Sequence, residues 1–88
     1  MRYIVNRDAA QWRVVDGEAV VVNMDSSYYY GLNRSGTFVW TILTEQAASV
    51  DELAERVASE FGVETARART DVEAVVRQLA EEHLVMEA

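Results

Sequence analysis

The sequence has no cysteine, no proline and no lysine, and a single histidine. Without cysteine there are no disulfides, no thiol catalysis and no cysteine-held metal, and the chain suits a reducing compartment. Without proline, nothing marks an interdomain linker. Without lysine, the eight basic residues are all arginine, set against fifteen acids, for a net charge of −7. Nucleic-acid binding rests on cations that neutralise phosphates, so this balance argues against DNA, RNA or an anionic membrane surface as partner. An acidic surface suits a basic peptide, and equally serves solvation. No apolar run approaches the roughly 20 residues of a membrane span. Met1 to Val5 is too short for a signal peptide and runs into Asn6, Arg7 and Asp8.

Catalytic signatures are equally scarce. No serine has a histidine plausibly paired with it, and there is no Walker loop or GxGxxG. The four glycines are isolated and read as turn or cap residues. His83 stands near the end of a helical pattern, where the helix dipole favours it; it lacks companions at metal-ligand spacing. Asp51, Glu52, Glu55, Glu81 and Glu82 read as solvent faces of amphipathic helices. An independent enzyme is not expected, nor a metal or cofactor.

What remains is an ordinary globular composition, half apolar and a quarter charged. Its 88 residues fit one domain, residues 1–88, with a modest core. The chain changes character near residue 32, from strand to helix. Val14-Val15 and Ala19 to Val22 flank Asp16-Gly17, a two-residue hairpin signal. A second strand is predicted from Glu18 to Met24, a turn at Asp25-Ser26-Ser27, and a third strand from Tyr28 to Gly31. Arg2 to Val5 reads as a further extended piece.

Three helices are predicted after the strands. The first covers Arg34 to Leu43, capped by Asn33 or Ser35, with Phe38, Val39, Ile42 and Leu43 inward and Trp40 on its flank. The second opens with a capping box, Ser49 and Glu52, and carries Val50, Leu53, Ala54, Val57, Ala58 and Phe61 on one face. Gly62 closes it. The third runs from Thr65 to Glu82 with Val72, Val75, Val76 and Leu79 as its stripe. Thr70 and Glu73 form a second capping box, which allows a late start or a kink. Leu84-Val85-Met86 follows as an extended tail. Strands followed by helices imply an α+β domain with the helices on one face of a three-stranded sheet. Such a sheet has edges, and an uncovered edge offers its main chain to another strand.

Tyr28-Tyr29-Tyr30 bears on that edge. Strand side chains alternate, so at least one tyrosine points away from the core. Two readings stand. In one, Tyr30 fills the core in phase with Leu32, and Tyr29 is an exposed aromatic favoured by β propensity. In the other, the third strand receives a peptide strand, and pockets between it and the third helix take the peptide's side chains.

Tyr29-Tyr30-Gly31-Leu32-Asn33, then Gly36, Val39-Trp40 and Leu43, then Ser49 to Leu53, then Asp71-Val72 and Leu79 before Leu84-Val85, resemble the PqqD family. The resemblance covers roughly residues 11 to 86. That family takes in the pyrroloquinoline quinone accessory protein and the recognition elements of ribosomally made, modified peptides. It implies a winged-helix-like fold, a three-stranded antiparallel sheet followed by three helices, in a cytoplasmic protein. It also implies binding of a precursor's leader segment as an extra antiparallel strand on the third strand, in a groove against the third helix. The implied contacts are the main chain along Tyr28, Tyr29, Tyr30 and Gly31, apolar pockets with Val72, Val75, Val76 and Leu79, and charges at Arg69, Asp71 and Glu73. Val76 is expected to be partly exposed there. The chain's size and acidity are similar to those of the stand-alone recognition protein of lasso-peptide clusters. Such a protein passes the precursor to a separate leader peptidase of the cysteine-protease type, and a cyclase then closes the ring. A pyrroloquinoline quinone chaperone, or a recognition element of another peptide class, is the alternative within the family. Outside it stand a winged-helix DNA-binding module, disfavoured by the acids of the third helix, and a dimerisation domain. One departure from the family is His83, where a glycine commonly precedes the final Leu-Val.

Overall fold

Four strands precede the first helix: β1 (Arg2–Val5), β2 (Ala10–Val15), β3 (Glu18–Asn23) and β4 (Tyr29–Gly31). In the computed structural model, which describes all 88 residues, β2 and β3 pair in register from Ala10 opposite Asn23 to Val15 opposite Glu18. Asp16 (φ 54°) and Gly17 (φ 81°) make the turn, both left-handed as a two-residue hairpin of this hand requires. Asn23 then reverses the chain. Its Oδ1 accepts from the N–H groups of Asp25 (2.9 Å) and Ser26 (3.2 Å). β4 returns antiparallel, with Tyr30 opposite Val21. It starts one residue later than predicted, because Tyr28 still belongs to the turn.

The helices are α1 (Arg34–Glu45), α2 (Val50–Phe61) and α3 (Thr65–Glu81). The Asn33 side chain accepts from Gly36 N–H at 2.8 Å and caps α1. The inward face of α1 differs from the expected one. Trp40 is fully buried, packed edge-on against Trp12 of β2 at 5.4 Å. Phe38 is the flanking aromatic, half-buried against Phe61. α2 has the predicted reciprocal capping box, Ser49 with Glu52, and the predicted Gly62 in a left-handed cap at φ 65°. α3 is continuous from Thr65. The Thr70 hydroxyl donates to Ala66 C=O within the helix, so it caps nothing. α3 ends where His83 turns left-handed at φ 59°, with Leu84 N–H donating to Leu79 C=O at 2.9 Å.

The two loose extended pieces become a second sheet. β5 (Ala48–Ser49) and β6 (Val85–Glu87) flank β1, in the order β5-β1-β6. The first sheet has the order β2-β3-β4. The architecture is α+β and winged-helix-like, with α1 packed on β3 of the meander and α2 packed on α3 and α1. Trp40, Leu43, Leu53, Leu84, Val21, Val39 and Val72 are its largest fully buried side chains. No helix is long and apolar enough to cross a membrane.

Candidate functional site

β4 is an edge strand, and its hydrogen bonding shows which main-chain groups are free. Asn23 N–H donates to Tyr28 C=O (2.9 Å), and Leu32 N–H donates to Ala19 C=O (2.8 Å). Antiparallel pairing alternates, so the amides of Tyr30 and Leu32 face β3, while the Tyr28 N–H donates to Ser26 Oγ within the turn (3.4 Å). Those of Tyr29 and Gly31 face outward along the open edge. A Cβ placed on Gly31 would meet nothing within 4 Å, so the face of the strand beside this edge is open at that position.

Beside the edge lies a cleft of about 220 Å³, closed on the far side by the C-terminal half of α3. Tyr30, Leu32, Val75, Leu79 and Leu84 give it an apolar lining; Tyr29 and Gly31 sit at its strand side, and Gln78 and Glu82 complete the helix side. Its size admits one or two side chains. The Tyr30 hydroxyl donates to Glu82 Oε2 at 2.5 Å. That bond, with partial desolvation and the carboxylate's charge, pushes the Tyr30 phenol up to about 12. Val75 also lines a shallow depression with Asp71, Val72 and Gly36, which leads toward the start of α3.

The predicted site residues divide. Tyr29, Tyr30, Gly31, Val75 and Leu79 meet in the cleft, and Val72 and Asp71 continue it. Tyr28 is 66 % exposed in the turn outside the cleft, and Tyr29 is 74 % exposed. Val76 and Arg69 do not join them. A helix advances about 100° per residue, so Val76 turns away from Val75 toward the opposite flank. There Val76 is only 3 % exposed, packed in the core rather than partly open. Arg69 shares that flank with Tyr3, Val50, Glu73 and Arg77, and it is ion-paired with Asp51 and with Glu73 (3.1 Å). Glu82 also departs from expectation, being half-buried against Tyr30 rather than on a solvent face.

Gln78, Glu82, Leu32 and Leu84 were absent from the predicted site. Gln78 and Glu82 stand three and seven residues after Val75, on the same helical face. That spacing is the signal in the sequence that could place them beside Val75. His83 is exposed, and its carbonyl accepts from the Asn6 side chain at 3.1 Å. Histidine, aspartate and glutamate nowhere gather in threes that could hold a metal ion.

Comparison with known proteins gives two kinds of likeness. The family model described as coenzyme PQQ synthesis protein D (PqqD) matches residues 18–85. Among solved structures, the fold is similar to TbiB1 in complex with the TbiA(beta) leader peptide. That likeness has a TM-score of 0.83 and 24% identity, covering 97% of this chain and 96% of that one. It is also similar to lasso peptide synthetase B1 complexed with the leader peptide, at TM-score 0.79 and 23% identity, covering 96% of each chain. No curated protein matches in sequence.

Proposed function

This chain belongs to the PqqD family, and from that membership and the open β4 edge we propose that it binds the leader segment of a ribosomally made precursor peptide. The leader adds as an antiparallel strand on β4. Tyr29 and Gly31 supply the outward N–H and C=O groups for its main chain, which gives affinity largely independent of sequence. An apolar leader side chain enters the cleft over Tyr30, Leu32, Val75 and Leu79, which gives specificity. Asp71 borders the leader farther along α3, with Val72 beneath it in the core. Tyr28, Arg69 and Val76 have no direct part in this arrangement.

The role is delivery rather than chemistry. The cleft holds two phenols, one amide and one carboxylate, with no activated nucleophile and no base paired to one. The bound precursor passes to a separate leader peptidase and then to a cyclase, in lasso-peptide biosynthesis in the cytoplasm. The similarity to two leader-bound proteins supports this reading. The observation that carries it is the unpaired edge of β4 beside an apolar cleft.

The test is a titration with a synthetic leader from the precursor gene nearest this one, followed by backbone NMR. Binding should shift residues 29–32 and positions 75, 78 and 82, and leave Arg69 and Arg77 unmoved. No binding, together with a stable self-pair through β4 in sedimentation, would replace the proposal with a dimerisation role.

A further inference from the structure

Glu82 is the only charged side chain lining the β4–α3 cleft. It is held at three points. Its N–H donates to Gln78 C=O (3.2 Å), its C=O accepts from Asn23 Nδ2 (2.8 Å), and its Oε2 accepts from the Tyr30 hydroxyl (2.5 Å). Oε1 has no partner within the chain. The main chain is thus fixed on both sides, and the Tyr30 bond orients the carboxylate while leaving Oε1 and most of its acceptor capacity unused.

Its place is costly for the fold. A helix C-terminus carries partial negative charge and favours cations. α3 ends instead in Glu81 and Glu82, with no basic residue in its last turn. Three acids outside the cleft have an arginine partner, Glu52 with Arg2 and both Asp51 and Glu73 with Arg69. At the cleft the helix end and two acids add in the same direction, and no cation of this chain answers them. Local stability is given up where a ligand would restore it, a pattern typical of binding sites.

Resting on the leader-binding reading, we infer that Glu82 is a specificity-determining residue that selects a lysine or arginine in the bound peptide, with Tyr30 as the residue that positions it. α3 runs from Asp71, beside the start of α1, to Glu82, beside Tyr29 and Tyr30. An antiparallel peptide strand therefore meets Val75 before Glu82. Strand side chains return to the same face every second residue, which puts the cation roughly two residues C-terminal to the apolar anchor. The cleft then reads an apolar residue and a cation in a fixed order, and the charge pair excludes peptides carrying an acid at that point.

A displayed library of random twelve-residue peptides tests this against the wild-type chain and Glu82→Gln. The glutamine keeps an acceptor for Tyr30 and removes the charge. Wild type should enrich apolar anchors followed at that spacing by Lys or Arg, and Glu82→Gln should enrich the anchors alone. For one synthesised wild-type binder, Lys→Gln in the peptide and Glu82→Gln in the protein should each weaken binding about tenfold, and the double change should cost little more than either. Tyr30→Phe should lose part of the cation preference while keeping the anchor. Anchors enriched without charge preference, or a preference that persists in Glu82→Gln, would overturn the inference and leave leader binding intact. No enrichment of any peptide would overturn both.

Discussion

The two flanks of α3 have similar residue types and opposite bookkeeping of charge. On one flank Arg69 lies between Asp51 and Glu73, and Val76 is sealed in the core. On the other, Val75 is half-exposed, Glu82 has no cation, and β4 leaves its edge open. The first flank is complete within the chain. The second is complete only with something added. In a domain this small, an open main-chain edge beside an apolar cleft is a better guide to function than residue type.

Substitutions at adjacent helix positions test that contrast most sharply. Val76→Glu puts an unpaired carboxylate into the core and should cost about 3–5 kcal/mol, read as a collapse of the urea midpoint. Val75→Glu should leave the circular dichroism spectrum and the midpoint nearly unchanged while weakening peptide binding about tenfold or more. Equal destabilisation by both would mean that the flanks are alike. His83→Gly relieves a left-handed non-glycine residue at the end of α3 and should raise stability by about 1 kcal/mol, seen in thermal unfolding. Arg69→Ala breaks two exposed ion pairs, should cost under about 1 kcal/mol, and should not alter peptide affinity. The smallest expected effect is a pH dependence at the start of α2, away from both flanks. The Ser49 N–H and the Arg2 guanidinium hold the Glu52 carboxyl below its ordinary 4.5. A lowered folded-state value stabilises above the unfolded value, and that contribution fades as pH falls through and below 4.5. Glu52→Gln should flatten this acid limb of a stability-against-pH curve.

What could be read from the sequence was local. The Asp16-Gly17 turn, the Ser49–Glu52 box and the Gly62 cap each depend on residues a few positions apart, and each is present as expected. The choice between Val75 and Val76 was not legible. Both fit a broad apolar stripe, and only the packing of α2 and β1 decides which is covered. Trp40 and Phe38 exchanged roles for the same reason, because Trp12 offers its ring from another element. The contact between Tyr30 and Glu82 joins residues 52 positions apart and leaves no periodic trace. Nor do strands of two to four residues, and so β1 and β6 read only as loose extended pieces and β5 left no signal.

That second sheet also bears on the order in which the chain folds. β1 pairs with residues 85–87 across nearly the whole length of the chain, whereas the β2–β3 hairpin closes over a two-residue turn. Closing a long loop is slow and entropically costly, and a short hairpin forms in microseconds. During synthesis the hairpin can form early, while β1 waits for its C-terminal neighbour to be made. Leu84, which lines the cleft, sits directly before that last strand. The binding surface is therefore finished only when β1 has met β6, because Leu84 is positioned by the segment that makes that pairing.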